Sequence, residues 1–224
     1  FRVYWTGPCG DDAALEDARM ASQLHLDQVT IRSLDPGVRA RAWERNCVAI
    51  GPAACSFDPI HSVELQAMHM SLVHLLALFP IHREYDAERA EFNRLTGSGL
   101  ERLRDYQSAF YVLNRYDSPF WSGGREAQRS AELTHKIATF RARGEVPLYE
   151  HETFPADSWR ALFVGHGILR ETADPLAEST APEKLKAEFR RILSFIRSKV
   201  EEQTTHEFYL QSVCASARLP RIGR

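Results

Sequence analysis

The stretch that decides the fold runs from residue 46 to residue 80 and reads NCVAIGPAACSFDPIHSVELQAMHMSLVHLLALFP. Its first five residues are a short apolar run that ends at Gly51-Pro52, which predicts a strand and then a turn. From His61 onward large apolar residues recur at helical spacing until Pro80, so the second half predicts a helix. A strand, a glycine, small residues and an apolar helix in this order are typical of the end of a central strand in an α/β sheet. The apolar positions of the predicted helix are Val63, Leu65, Met68, Leu72, Leu75, Leu76 and Phe79.

The residues before this stretch predict two more strands and one helix. Residues 1–5 and 29–31 are rich in aromatic and β-branched side chains, which favours strands. A helix is predicted over residues 13–24, and Asp35-Pro-Gly37 predicts a turn. Residues 1–60 are therefore expected to be the last strands of a mixed α/β sheet. Because a chain rarely begins in a buried strand, we expect that an N-terminal portion precedes residue 1.

The residues after this stretch predict a strongly helical subdomain that extends from residue 61 to residue 224. The sequence TGSG at residues 96–99 is expected to separate two of its helices, because glycine disfavours helix interiors. The last helix carries an apolar stripe opposite its charged residues. The predicted helices cover residues 86–95, 100–116, 124–143, 157–164 and 182–204.

Composition excludes several classes of protein. The 28 basic and 30 acidic residues give a formal charge of -2, which argues against a nucleic-acid-binding protein. No apolar run reaches the roughly 18 residues that a membrane span requires. The cysteines lack CxxC spacing, which favours a reducing compartment and hence a cytoplasmic location. They are Cys9, Cys47, Cys55 and Cys214.

Cofactor and metal motifs are incomplete in this sequence. The nearest approaches to a dinucleotide-binding GxGxxG turn are Gly97/Gly99 and Gly165/Gly167, each without the third glycine. The chain alone is therefore not expected to hold a dinucleotide. His69 and His74 diverge on their predicted helix, and they are interpreted with His61 as structural histidines rather than as metal ligands.

The sequence YVLNRYDSPFW at residues 111–121 is unusual because it places two aromatic residues directly after a proline. Asp117-Ser118-Pro119 predicts a turn that ends a helix, since residues before proline avoid the helical region. Phe120 and Trp121 then have two interpretations, either a plug in the core or a stacking surface for a flat ligand such as an indole. Glu150 and Glu152 are interpreted as solvated surface residues.

Three stretches together resemble the flavin-dependent tryptophan halogenases. They are residues 46–80, residues 105–121, and residues 149–177 with their Tyr-Glu, Glu-Thr-Phe and Asp-Pro-Leu-Ala elements. The Ile-Gly…Asp-Pro and Ser-Pro-Phe-Trp elements are specific in combination. The resemblance covers nearly the whole chain and is to the C-terminal half of such an enzyme. It implies the last strands of a flavin-monooxygenase-type sheet followed by a helical substrate subdomain.

The resemblance also implies a reaction. In the family, reduced FAD from a separate flavin reductase reacts with oxygen, and chloride or bromide is converted to hypohalous acid, which halogenates an aromatic ring. The catalytic lysine and the dinucleotide-binding glycines of the family lie upstream of the matching residues. A flavin-binding portion is therefore expected to come from polypeptide outside these residues, with the flavin reductase as a transient partner.

Residue roles follow from the resemblance position by position. His61 and Ser62 fall where the family has its catalytic glutamate and serine, so an imidazole replaces the carboxylate. Glu64 falls where halide binds and is unfavourable there, because like charges repel. Free tryptophan is not the expected substrate, whereas another indole, a phenol or a larger aromatic fits. The remaining implied contacts are Ile50, Gly51 and Pro52 with flavin, Val63 with halide, and Phe110, Tyr116, Phe120 and Trp121 with substrate.

Two alternative functions remain open at this point. One is a flavin monooxygenase that does not halogenate, which the altered halide positions would suit. The other is a non-catalytic helical binding module. A homodimer is the expected assembly if the chain self-associates.

Overall fold

The computed structural model describes residues 10–23, 30, 35–171 and 179–214. The chain forms two compact units, residues 1–172 and residues 173–224. The strands predicted at residues 1–5 and 29–31 lie outside the described residues, apart from residue 30. Helices of the first unit are α1 (Asp11–Ser22), α2 (Glu64–Ala77), α3 (Asp86–Val112), α4 (Pro119–Glu126), α5 (Ala131–Arg143) and α6 (Ala156–Gly165). Those of the second are α7 (Pro182–Glu201) and α8 (His206–Tyr209), which continues into a π-helical turn, Leu210–Cys214.

The described strands form two short antiparallel ladders. β1 (Gly37–Val38) pairs with β4 (Cys55–Ser56), with Gly37 opposite Ser56. β2 (Trp43–Glu44) pairs with β3 (Cys47–Val48) in a tight hairpin, whose turn residue Arg45 has a left-handed φ of 51°. The strand predicted over residues 46–50 is therefore shorter than expected, because this local turn pairs it with its immediate neighbour in sequence. The strongly helical character that the sequence predicts is confirmed.

The long helix α3 is the centre of the first unit. The predicted break at residues 96–99 is wrong, since α3 continues through TGSG without interruption. The reason is tertiary packing, because the side chain of Met70 on α2 occupies the space where Gly99 would carry a Cβ. Thr96 is buried at the same contact. Residues of α3, α5 and α6 build the main core, which contains Tyr106, Ala109, Val112, Leu113, Leu133, Ile137, Phe140, Val146, Trp159, Leu162 and Phe163.

Helix α2 differs from its prediction in both extent and orientation. It begins at Glu64 rather than at His61, because His61 and Ser62 have left-handed backbone angles. Its buried residues are Ala67 and Ser71, so the predicted apolar stripe faces the core only in part, through Val63 just before the helix and through Leu75. Four of the residues in that stripe are exposed, namely Leu65, Leu72, Leu76 and Phe79.

The helix predicted over residues 124–143 is in fact two helices, α4 and α5. Ser130 separates them: its hydroxyl accepts the N–H of Leu133 at the start of α5 and donates to Asp105 on α3 at 2.9 Å. The predictions for α6 and α7 are confirmed, with bounds that differ by no more than three residues. No helix among the described residues is long and apolar enough to cross a membrane. Residues 35–60 belong to the same unit as α2 to α6, and the division expected at residue 60 stays a prediction.

Candidate functional site

The loop that carries His61 is held by a buried glutamine. The side-chain N–H of Gln107 on α3 donates to the carbonyl oxygens of Asp58, at 2.7 Å, and Ile60. Asp58 also accepts the backbone N–H of Ile60 at 2.9 Å. His61 and Ser62 then adopt φ values of 61° and 46°. Two successive non-glycine residues in the left-handed region are uncommon, and such strain often occurs at functional sites.

The imidazole of His61 is exposed and lies against three aromatic rings. The ring centroids of Tyr106, Phe110 and Phe154 are 5.1, 5.7 and 5.3 Å from that of His61. Tyr106 and Phe154 stack on each other with centroids 3.7 Å apart. We call these four residues the His61 box. Phe110, a predicted substrate contact, is thereby brought next to the predicted catalytic residue.

A cavity of about 480 Å³ opens beside this loop. Phe120 lines it, whereas Trp121 does not, and stacking of either ring on a ligand stays a prediction. Asp58 connects the two features, because it lines the cavity and lies three residues before His61. The other lining residues are Ser108, Tyr111, Val112, Gly123, Gly124, Ala127 and Gln128.

Tyr111 supplies a second aromatic wall and a hydroxyl group. Its ring centroid lies 6.4 Å from that of Phe120 in an edge-to-face arrangement. Burial, and then the hydrogen-bonded carboxylate of Asp58, raise the pKa of the Tyr111 hydroxyl above its ordinary value. The hydroxyl therefore stays protonated at neutral pH. The sequence prediction omitted Tyr111, although its place beside Phe110 on α3 could have indicated it.

Phe120 and Trp121 lie in the first turn of α4, with Ser118 as its N-cap and Pro119 as its first residue. This corrects the prediction that the proline only ends a helix, since a proline also begins helices readily. Trp121 stacks on Tyr111 with centroids 5.6 Å apart, and Tyr116 contacts the other side of Trp121 at 5.2 Å. Tyr116 is itself largely exposed.

Buried Asn114 shapes the turn between α3 and α4. Its amide N–H groups donate to the carbonyl oxygens of Tyr111 and Trp121. Its side-chain oxygen accepts the backbone N–H of Tyr116 and a guanidinium N–H of Arg125. Asn114 thus fixes where α4 begins and how Phe120 meets the cavity. The sequence prediction did not identify this role.

The predicted flavin contacts lie at a sharp turn after β3. Gly51 is buried with a φ of 58°, and Met68 lies 3.6 Å from the position where a Cβ would be. Glycine is favoured at this turn because other residues rarely adopt that φ. Ile50 and Pro52 flank it. Their contact with flavin stays a prediction.

The two predicted halide residues have different surroundings. Val63 is fully buried, and its side chain packs in a core cluster with Cys55 and Leu100. Glu64 is the first residue of α2. Burial raises the pKa of the Cys55 thiol to about 11, and the nearby Glu64 carboxylate adds to this shift. The halide roles of Val63 and Glu64 stay predictions.

The prediction that Glu152 is a solvated surface residue is wrong. Its carboxylate is buried and bonds the ammonium group of Lys136 at 2.6 Å and the indole N–H of Trp159 at 3.1 Å. Glu150, by contrast, is exposed as predicted. The pairing was not visible in the sequence, because Lys136 and Glu152 belong to different elements and share no local pattern.

The helix histidines lie apart from the cavity. His74 contacts the Thr96 hydroxyl at 3.3 Å, and burial together with nearby His151 lowers the pKa of His74. His69 is exposed. In the part of the chain that the structure describes, no group of three or more His, Cys, Asp or Glu side chains could hold a metal ion.

Comparison with known proteins places these features in one family. The sequence model of the tryptophan halogenases matches residues 2–182, which is most of the chain. The chain belongs to the tryptophan halogenase family. The resemblance seen in the sequence is thereby confirmed, and the expected helical fold agrees with the solved halogenase structures described next.

Relatives within the tryptophan halogenase family match different lengths of the chain. Tryptophan 7-halogenase RebH of Lentzea aerocolonigenes is 33% identical over 47% of this chain and 20% of its own length. Tryptophan 7-halogenase KtzQ of Kutzneria sp. (strain 744) is 29% identical over 86% of this chain and 39% of its own length. BrvH, a flavin-dependent halogenase from Brevundimonas sp. BAL3, superimposes with a TM-score of 0.79 at 31% identity. That match covers 91% of this chain and 42% of BrvH. The chain thus spans about two fifths or less of these relatives.

Proposed function

We propose that this chain is the substrate-binding part of a flavin-dependent halogenase that performs electrophilic halogenation of an aromatic or indole substrate. One observation carries the proposal: the cavity walled by Phe120 and Tyr111 shares Asp58 with the loop that presents His61. His61 does not itself line the cavity, so Asp58 is the residue that connects the proposed arene site with the loop of the predicted catalytic residue. Membership of the tryptophan halogenase family supports the same reaction.

The cavity suits a flat arene for physical reasons. Two aromatic walls bury apolar area and favour edge-to-face or offset contacts with a third ring. The carboxylate of Asp58 and the hydroxyl of Ser108 can accept a hydrogen bond from a ring N–H or O–H group. The cavity volume, about 480 Å³, lies within the range of small-molecule sites. His61 and Ser62 would form hydrogen bonds with the halogenating species, because an imidazole and a hydroxyl group can each donate and accept a hydrogen bond.

FAD itself does not fit these residues as a complete site. A dinucleotide requires a glycine-rich turn between a strand and a helix, and this sequence has no GxGxxG. Gly51 offers one left-handed glycine at a short turn, which suits a contact with the edge of a flavin rather than a cradle for its pyrophosphate. We therefore propose that other polypeptide holds the reduced FAD, that a separate reductase supplies it, and that chloride or bromide is the halide. Val63 and Glu64 are the proposed halide contacts.

Location and assembly are also proposals. A cytoplasmic location is supported by free thiols at Cys47, Cys55 and Cys214. If the chain self-associates, a homodimer is the proposed assembly.

The binding part of the proposal is tested by titrating the chain with indole and following the ring resonances of indole by NMR. We expect Phe120→Ala to raise the Kd for indole by about tenfold, since an aromatic contact contributes about 0.5–1.5 kcal/mol. Phe195→Ala on α7 is the matched control, because Phe195 is exposed and does not line the cavity. Equal affinity of Phe120→Ala and the unmodified chain would contradict the proposed cavity.

The catalytic part requires the chain together with a flavin-binding portion. The matching portion of BrvH, a flavin reductase, FAD and bromide would be supplied, and the products separated by mass spectrometry. We expect a brominated arene whose yield falls in Phe120→Ala. A hydroxylated product without bromine would contradict halogenation.

A further inference from the structure

The Lys136–Glu152 pair lies deep in the core of the first unit. The side chains of Lys136 and Glu152 are 2% and 5% exposed, and their charged atoms are 2.6 Å apart. The Lys136 ammonium group also donates to the carbonyl oxygen of Pro147 at 2.7 Å. It lies over the rings of Tyr149 and Trp159, 5.0 and 4.5 Å from their centroids. The ammonium group is thus surrounded by partners from two elements and the segment between them.

Stability alone is a weak reason for such a pair. Removing two charges from water costs several kcal/mol per ion, and well-packed apolar residues often replace a buried pair without loss. Burial lowers the pKa of Lys136, and Glu152 opposes this shift. The ion pair fixes the relative position and orientation of the two side chains, because charge-assisted hydrogen bonds are directional. Apolar side chains of the same size would not do this.

Two routes lead from Glu152 to the His61 box. Along the chain, Glu152 is followed after one residue by Phe154, whose ring contacts both Tyr106 and His61. Through space, Glu152 accepts the indole N–H of Trp159 at 3.1 Å, and the Trp159 ring meets Tyr106 edge-to-face at 4.8 Å. Both routes end on the rings that contact His61.

His61 depends on those rings for its orientation. Within the described ranges its imidazole makes ring contacts with Tyr106, Phe110 and Phe154 and no hydrogen bond. Gln107 holds the backbone of its loop, but the side chain itself is exposed, so the ring is positioned by these aromatic contacts. The placement of Phe154 and Tyr106 therefore decides where the imidazole points.

We infer that the buried Lys136–Glu152 pair is a positioning unit that holds Phe154 and Trp159 against Tyr106 and thereby orients the imidazole of His61. The inference rests on the proposed function, because the residue that the pair is said to position, His61, is the predicted catalytic residue. Lys136 and Glu152 touch no substrate in this account. They act through the rings of the His61 box.

The first test removes the charges and keeps the volume. Lys136→Met combined with Glu152→Gln leaves no buried charge, and the glutamine can still accept the Trp159 N–H. The tie between α5 and the segment before Phe154 is lost. We expect the His61 Cε1–H resonance, assigned with His61→Gln, to move away from its ring-shifted position. We also expect diethyl pyrocarbonate to modify His61 about fivefold faster, the change that corresponds to one lost aromatic contact.

A second variant interrupts the route through Trp159 and Tyr106. It tests the inference independently, also if the first variant does not fold. Trp159→Phe keeps an aromatic ring against Tyr106 and removes the hydrogen bond to Glu152. The His61 resonance should move here as well. Arg160→Gln with Asp157→Asn is the matched control. These two residues form an exposed ion pair on α6, the helix of Trp159, with 2.7 Å between their charged groups.

The outcomes separate this inference from the proposed function. His61 signals and modification rates that stay unchanged in folded Lys136→Met/Glu152→Gln, or in Trp159→Phe, overturn the inference. An equal response in the Arg160/Asp157 control overturns it too. None of these readouts involves indole or bromide, so a chain that binds no arene would refute the proposed function while the coupling to His61 is still measured.

Discussion

The two faces of α2 are built in opposite ways. The face toward α3 carries mostly small or polar residues, with Ala67 and Ser71 fully buried and His74 in contact with Thr96, beside the long side chain of Met70. The other face carries large apolar residues that are exposed, including Val73 and Leu76. Small residues on both helices, Ala67 and Ser71 on α2 and Gly99 on α3, allow close packing, and Gly99 leaves room for the Met70 side chain. A stripe of large apolar residues in a helix sequence therefore does not by itself identify the face that packs in the core.

The comparison also predicts where the stability of the first unit resides. Burial of apolar area contributes free energy only where a side chain leaves water. Leucines on the exposed face of α2 should therefore contribute little, whereas a leucine of α3 in the α2–α3 core should contribute much.

Truncation of a leucine should separate the two faces most clearly. Leu103 on α3 is fully buried in the cluster with Val63 and Ala67, and Leu76 on α2 is 75% exposed. Leu103→Ala should lower the free energy of unfolding by about 2–5 kcal/mol, because it removes buried methyl groups and leaves a cavity. Leu76→Ala should change it by no more than about 0.5 kcal/mol. Urea unfolding followed by circular dichroism measures both.

Similar losses of unfolding free energy in Leu103→Ala and Leu76→Ala would contradict this prediction. They would mean that the exposed face of α2 is packed when the chain is in solution. A change in the urea dependence of either variant would indicate an altered unfolded state rather than a lost contact.

Cys55 reports on the same core through its pKa. The thiol is buried beside Val63 and the start of α2, and its pKa is raised from 9.0 to about 11. The folded chain therefore keeps the proton while the unfolded chain releases it. This contribution is fully present below pH 9 and is lost as pH rises through 11, for a total of roughly 2–3 kcal/mol.

The measurement is urea unfolding between pH 8 and 11 in the unmodified chain and in Cys55→Ser. We expect the serine variant to lose roughly 2 kcal/mol less over this interval, because its hydroxyl does not titrate. Cys47→Ser is the matched control, since Cys47 is exposed. If the curves of Cys55→Ser and the unmodified chain stay parallel, the thiol is not buried as the α2–α3 core requires.

The parts of the fold that the sequence predicted are those that local chemistry determines. The helix α6 and the helix α7 follow from periodicity and from the residues at their ends, and their predicted bounds are nearly correct. The break at residues 96–99 was wrong because a tertiary contact outweighs the low helix propensity of glycine. The predicted stripe of α2 was only partly correct for the same reason, since its packing partner α3 lies elsewhere in the sequence.

The candidate site divides in the same way. Phe120 could be singled out because Ser-Pro-Phe-Trp is a local signal, and the structure places Phe120 at the cavity, while its contact with substrate stays a prediction. His61 was indicated by the family resemblance, but the rings around it come from α3 and from the segment before α6. Glu152 was misjudged because its partner Lys136 lies on a different element. Contacts between distant elements have no local signature, so they had to be seen in three dimensions.

The two glycines of TGSG give the smallest and most specific prediction. They lie two residues apart inside α3, but a Cβ on Gly97 would meet nothing within 4 Å, whereas a Cβ on Gly99 would overlap the Met70 side chain. Gly97→Ala should stabilise the chain by about 0.5–1 kcal/mol through helix propensity. Gly99→Ala should destabilise it by about 1 kcal/mol, because displacing Met70 costs more than the propensity gain. Thermal unfolding of both variants, and of Gly99→Ala combined with Met70→Ala, provides the measurement.

In the Met70→Ala background the loss of stability caused by Gly99→Ala should disappear, since the alanine Cβ then occupies the space that the Met70 side chain has left. Stabilisation by both single variants would show that α2 and α3 are not held together at Gly99, and that small residues are not what brings these helices into contact.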